Sequence, residues 1–226
     1  MQFIYDANAG QKTLILDEKQ CHYVFGVRRF MAQGGEIFKF ANLNDGKLYR
    51  YALIEAQGRK SRIKCAAFSL LDSANVAQNS PKTHIIQAVI DDFDKVLPFL
   101  NELFVEKISL FYADFSQKNI KINLERLEGI LISSSMQCGR LRKMEIEILE
   151  SLDEAICAYS DAVAIDFAPK AQNLGDFKRF IIGCEGGFSQ RERELLKSRK
   201  IATSGINHPL ILRAKTASIA MASSRI

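Results

Sequence analysis

GCEGGFSQRERELL, residues 183–196, decides how the rest of this chain is read. The apolar run Phe180, Ile181, Ile182 before it has the look of a buried parallel strand, and it stops at Gly183. Gly186 and Gly187 carry no Cβ, so they permit positive φ and let backbone amides come close to whatever lies above the strand end. Ser189 then opens a helix, with Glu192 at the capping-box spacing. Strand, glycine turn and capped helix together make a crevice at the carboxyl end of a parallel sheet, where ligands collect. A tight strand-to-helix turn without any ligand uses the same residues. Further on, residues 200–206 read as another strand, Asn207, His208 and Pro209 as a loop, and residues 213–225 as a helix rich in Ala and Ser.

Working outward, the chain from Thr83 alternates strands (84–90, 108–112, 145–149, 162–167, 178–182) with helices. That pattern calls for a parallel sheet with covering helices. The helix over 91–105 contains Pro98, so it either kinks there or begins near it. A second helix, 123–138, closes at Gly139, a good C-cap position, and a third spans 153–159. Before residue 72 the signals are mostly β: short strands at 13–16, 36–40, 46–55 and 62–68, with an Asn44-Asp45-Gly46 hairpin turn. Such spacing suggests a small barrel, interrupted by one helix over 18–30. The polar stretch 73–82, with Pro81, reads as a linker between an N-terminal domain, 1–72, and a C-terminal one, 83–226.

The 226 residues, 47% hydrophobic and 25% charged, suit an ordinary globular protein. No signal-like start and no long apolar span argue for a cytoplasmic protein without a membrane partner. Five scattered cysteines without a C-x-x-C pair, and three separated histidines, suggest neither a disulfide framework nor a metal centre. The net charge of +5 is uneven: residues 1–72 hold 11 Lys+Arg against 7 Asp+Glu, and residues 73–226 hold 20 against 19. A basic segment joined to a near-neutral one fits a nucleic-acid-docking module on an enzyme, or simply a basic soluble surface. The run GRKSRIK, 58–64, tracks phosphates or forms a charged hairpin rim.

GCEGGFS (183–189) resembles the GPEGGFS-type motif, and LILRAKTA (210–217) the R-I-L-R-x-E-T-A motif, of the bacterial 16S ribosomal RNA uridine-N3 methyltransferases, members of the SPOUT class. NELFV (101–105) is similar to that family's TELGV, QCGR (137–140) to its E-Q-x-G-R, and HYVFGVRRF (22–30) to its H-x-x-x-V-L-R-like helix. Departures are Cys184 for Pro, His208 for Gly, Leu210 for the first Arg of R-I-L-R, Lys215 for Glu, and Phe115 for an Arg. The resemblance implies an α/β fold: a SPOUT-type trefoil-knotted parallel sheet with helices on both faces, preceded by a small PUA-like RNA-binding β-barrel. It implies a homodimer that methylates N3 of a uridine in 16S rRNA of the small ribosomal subunit with S-adenosylmethionine.

By the same resemblance the cofactor lies among three loops, 167–169, 183–187 and 206–212. Phe167, Ala168, Ile182, Gly183, Glu185, Gly186, Gly187, Ile206, Asn207, His208 and Leu212 would hold it. Arg213 and Glu185 are the catalytic candidates, the first for the uracil carbonyl or a phosphate, the second for cofactor orientation or the departing N3 proton. Their structural alternatives are a helix-start ion pair and a loop-bracing carboxylate. His22, Arg28, Arg29 and Arg140 are the RNA-contact candidates, and no metal is expected. The Leu210 and Lys215 departures leave open a SPOUT-like RNA-binding protein with altered catalysis, or a SPOUT enzyme acting on another nucleotide. A G-x-G-x-x-G or Lys-Ser/Thr phosphate loop is missing from the turn at Gly183, which disfavours an unrelated nucleotide-binding enzyme.

Overall fold

The computed structural model describes residues 2–33, 36–59, 62–78, 82–167, 173–206 and 208–224. It divides into two compact units, Met1–Gln78 with Ile132–Lys143, and Asn79–Leu131 with Met144–Ile226.

The first unit is a five-stranded mixed sheet. Its strands are β1 (Ile4–Tyr5), β2 (Thr13–Leu16), β3 (Ile37–Ala41), β4 (Lys47–Arg59) and β5 (Arg62–Asn75), in the order β1-β3-β4-β5-β2. β1 runs parallel to β3 and the other pairs are antiparallel. Alternation along β3 turns Phe38 and Phe40 inward, where they meet Phe68 edge-on at 5.1 and 5.3 Å. The Asn-Asp-Gly hairpin forms: the Asn42 side chain accepts from the Asn44 amide at 2.9 Å, and Gly46 takes φ +74. The five strands of the expected small barrel pair as an open sheet among the described residues, with β1 and β2 at its edges. The expected helix over 18–30 is also different. Asp17 and Gln20 form a capping box at the start of α1 (Glu18–Cys21), which passes into a π-helical turn at His22–Val27. Gly26 permits that wider turn, because a Cβ there would lie 3.1 Å from Nδ1 of His22.

The stretch expected to be a linker begins as strand, for β5 stays paired to Asn75 opposite Lys47. Beyond it the Gln78 side chain accepts from the Leu141 amide and donates to the Gly139 carbonyl, both at 2.8 Å. Pro81 lies outside the described residues.

The second unit is an all-parallel sheet of β6 (His84–Ala88), β7 (Lys107–Phe111), β8 (Glu145–Leu149), β9 (Val163–Ile165), β10 (Arg179–Ile182) and β11 (Ala202–Ser204). The order is β11-β9-β10-β6-β7-β8, so β10 is laid between β6 and β9. β6 and β9 are buried along their whole length, as strands covered on both faces must be. The helices are α2 (Leu97–Glu102), the start of α3 (Leu124–Cys138, which belongs to the first unit from Ile132 on), α4 (Leu152–Ala158), α5 (Gln190–Ser198) and α6 (Ala214–Ser223). Pro98 sits in the first turn of α2, where no amide donor is needed, so this helix starts there rather than at residue 91. α3 ends at Gly139 with φ +90, as the sequence suggested.

Candidate functional site

β10 is the strand that delivers the glycine turn. Phe180, Ile181 and Ile182 are buried, and after them the chain folds back on itself: the Gly187 amide donates to the Cys184 carbonyl at 2.9 Å. Gly187 has φ +70, and a Cβ on Gly183 would lie 3.0 Å from the Gly187 carbonyl carbon. Gly186, expected to share the positive φ, is not in that region. Its missing side chain instead leaves room for Phe115, whose ring would be 3.1 Å from a Cβ.

The capping box closes the turn onto α5. The Ser189 amide donates to Oε2 of Glu192 at 2.8 Å and the Glu192 amide donates to Oγ of Ser189 at 3.1 Å. Glu192 is fully buried, and its second oxygen accepts from the Asp114 amide at 3.0 Å. Asp114 in turn accepts from the Ser189 hydroxyl and from both Nε and Nη2 of Arg191. Arg191 first, then Ser189, hold its carboxyl below the usual carboxylate range. The carboxylate that braces this turn is therefore Glu192.

Above the carboxyl ends of β9, β10 and β11 lies a cleft of about 260 Å³. Three loops wall it: Ile165, Asp166 and Phe167; Ile182, Gly183, Cys184 and Gly187; and Gly205, Ile206 with residues 208–212, closed by Ala217 of α6. Of the residues expected there, Phe167, Ile182, Gly183, Gly187, Ile206, His208 and Leu212 line it. Glu185 and Gly186 are exposed and do not, and Ala168 and Asn207 lie outside the described residues. Asp166 and Cys184 were missed. Asp166 is held by Arg193 through two hydrogen bonds of 2.7 and 3.2 Å, and burial pushes the Cys184 thiol up. An acidic residue directly after a parallel strand was the available signal for Asp166.

Beneath the cleft, fully buried Gln87 of β6 donates to the carbonyls of Gly183 (3.1 Å) and Ala88 (3.0 Å), and accepts from the Ser218 hydroxyl of α6. One amide side chain thus ties the glycine turn to the helix that follows the third loop. Arg213 is the exposed N-cap of α6, with no ion pair among the described residues. Lys215 lies 3.8 Å from Asp92, a residue held at φ +54.

The RNA-contact candidates belong to the first unit. His22 is exposed. Arg28 donates from Nε to the Tyr23 hydroxyl at 3.0 Å and stacks on that ring at 5.3 Å. Arg29 is exposed at φ +57. Arg140 is 4% exposed, and its Nε donates to the Arg142 carbonyl at 2.7 Å. Divided by unit, charge separates more sharply than the sequence suggested. The first unit holds 14 Lys+Arg against 7 Asp+Glu, and the second 17 against 19. Among the described residues there is no group of three His, Cys, Asp or Glu suited to a metal ion, and no helix long and apolar enough to cross a membrane.

The sequence model of the RNA methyltransferase domain matches residues 78–225. Two Helicobacter pylori proteins, each named ribosomal RNA small subunit methyltransferase E, are 38% and 36% identical to this chain, and each match covers 99% of this chain and 98% of the relative. A Legionella pneumophila methyltransferase solved with bound S-adenosylmethionine superposes with a TM-score of 0.82 at 24% identity, covering 99% of this chain and 96% of that one. A Neisseria gonorrhoeae ribosomal RNA small subunit methyltransferase E gives 0.81 at 21% identity, with the same coverage. These two solved structures share the fold.

Proposed function

The chain belongs to the RNA methyltransferase family, and we propose that it transfers the methyl group of S-adenosylmethionine to N3 of a uridine in 16S rRNA of the small ribosomal subunit. The observation that carries this reading is the three-loop cleft at the carboxyl edge of the parallel sheet, in a chain more than a third identical to small-subunit rRNA methyltransferases over its whole length. The cleft fits the cofactor's chemistry. Ile165, Ile182, Ile206 and Leu212 offer apolar walls to an adenine ring, and the bare Gly183 and Gly187 leave backbone groups within reach of it.

When bound, S-adenosylmethionine would supply a sulfonium methyl carbon that N3, once its proton has left, attacks in line, with the thioether sulfur of S-adenosylhomocysteine as the leaving group. The remaining work is positioning and charge. A role for Arg213 in meeting the uracil carbonyl as negative charge develops is supported by its exposure next to cleft-lining Leu212. A role for Glu185 toward the departing proton is supported by its exposure on the glycine turn, which Glu192 rather than Glu185 braces. The target base must leave its stack to reach this site.

Three finer assignments go with the reading. The trefoil knot is supported by β10 filling the slot between β6 and β9. A homodimer is supported by Phe167, Leu210 and Ile211, which are 62%, 71% and 77% exposed around the cleft. A PUA-like RNA-docking role for the first unit is supported by its mixed sheet and its positive charge. The deciding experiment offers labelled S-adenosylmethionine and small subunits lacking the modification, with the product nucleoside identified by mass spectrometry. N3-methyluridine is the expected product. A different methylated nucleoside, or cofactor binding without transfer, sinks the assignment.

A further inference from the structure

We propose that the first unit carries a second RNA site, a groove that receives an unpaired base of single-stranded RNA against Phe30. This deepens the RNA methyltransferase reading and rests on it for the identity of the polymer.

The groove, about 530 Å³ and open, is lined by Phe25, Arg29, Phe30, Met31, Gly58 and Ile63, among others. Three features meet there that ordinary packing does not require. The first is the π-helical turn at His22–Val27, a rare conformation that concentrates at functional sites. The second is Arg29 at φ +57, a cost for a residue with a Cβ, and one that places a guanidinium-bearing residue in the groove lining. The third is apolar surface left in water: Met31, in the groove lining, is 60% exposed.

Phe30 is the platform. Its ring rests on Phe38 at 5.5 Å, and Phe38 is locked edge-on against Phe25 and Phe68, so the half-buried Phe30 ring is held in place before anything binds. An aromatic face flanked by a guanidinium accepts any base by stacking, and a strand backbone supplies phosphates to the cations around it. The unit offers that complement, with twice as many basic as acidic residues, and Arg28 is fixed on Tyr23 one position from Arg29. A base paired inside a duplex has no free face to present, which commits the groove to unpaired RNA.

The test is fluorescence anisotropy of a labelled single-stranded RNA with the full chain, Phe30→Leu, Phe30→Tyr and Met31→Ala. Phe30→Leu is expected to weaken binding roughly tenfold, Phe30→Tyr to keep it, and Met31→Ala to weaken it by a smaller factor. Met31 is exposed, so its variant folds even if Phe30→Leu does not. An abasic strand should bind the full chain as weakly as the intact strand binds Phe30→Leu, with an unchanged salt slope, and a blunt duplex should show no dependence on Phe30. Equal affinity of the full chain and both weakened variants, or equal binding of intact and abasic strands, overturns the proposal. Calorimetric cofactor binding, a property of the second unit, should persist in every variant, so failure of the groove is distinguishable from failure of the methyltransferase reading.

Discussion

The two edges of the six-stranded sheet are built from different materials. At the carboxyl edge, β9, β10 and β11 run out into glycines, exposed apolar residues and backbone turned toward a cleft. At the amino edge, polar side chains close over one another. Glu147 accepts from the Ser109 hydroxyl (2.5 Å), the Tyr159 hydroxyl (2.7 Å) and the Lys107 ammonium (3.0 Å), and His84 meets Ser109 at 2.8 Å while its ring stands edge-on to Tyr159. One edge opens onto a cleft, and the other is closed by a network of side chains. Substitutions at the first should therefore register in ligand binding, and at the second in stability.

Gly183→Val gives the largest effect. Its side chain would press on the Gly187 backbone, which has nowhere to move, and cofactor affinity should fall on the order of a hundredfold, about 3 kcal/mol, in a calorimetric titration. Unchanged affinity would break the contrast at once.

The pH dependence of stability probes the opposite edge. Burial first, then Lys107 and Arg179, lower His84 from 6.5 to about 4. The unfolded chain binds this proton first, so its contribution is complete above pH 6.5 and is lost as the pH falls toward 4, up to ~3 kcal/mol in all. Urea unfolding between those pH values should show the slope, and His84→Gln should flatten it; parallel slopes would show that the histidine is not sensed.

Glu147→Leu follows at ~2 kcal/mol, because it strands the hydroxyls of Ser109 and Tyr159 and the ammonium of Lys107. Burial alone would raise this carboxyl, but hydrogen bonds from Ser109, Tyr159 and Lys107 hold it below its ordinary value. The measurement is the unfolding midpoint, and cofactor affinity should stay as it was. Gln87→Met belongs to both edges' logic, since it keeps the volume but unties Gly183 from Ser218. It should weaken the cofactor roughly tenfold, ~1.4 kcal/mol, with a smaller loss of stability. If stability alone fell, Gln87 would be a core residue and nothing more. Arg199→Ala, which removes an exposed pair with Asp153, marks the floor of the series at under ~0.5 kcal/mol in either assay.

Much of the carboxyl edge was legible because its residues act on near neighbours. Ser189 and Glu192 cap a helix three positions apart, and Gly139 ends one, so the spacing itself carries the geometry. The supporting side chains were not legible, because their partners come from far along the chain. Gln87 looks like any residue of a fully buried strand until Ser218 is seen beside it, and Glu192 reads only as a cap until the Asp114 amide arrives at its other oxygen. In the first unit the hairpin at Asn44-Asp45-Gly46 followed from turn chemistry. The π-helical turn did not, since nothing in periodicity separates Gly26 under His22 from a glycine inside an ordinary helix. Whether the sheet closed was equally out of reach, for closure depends on which strands find each other across the unit.

The position of β10 also governs the order in which the protein can be made. β9 pairs only with β10 and β11, both encoded after it, and the side of β6 that β10 will occupy is bare until residues 179–182 have been synthesised. At translation speeds of about 5–20 residues per second, the nascent chain spends on the order of a second with β9 made and no strand to dock it on. Chaperone capture of stalled nascent chains should accordingly be highest at lengths where β9 has emerged from the ribosome without β10, and fall once β10 emerges and covers the facing edges of β6 and β9.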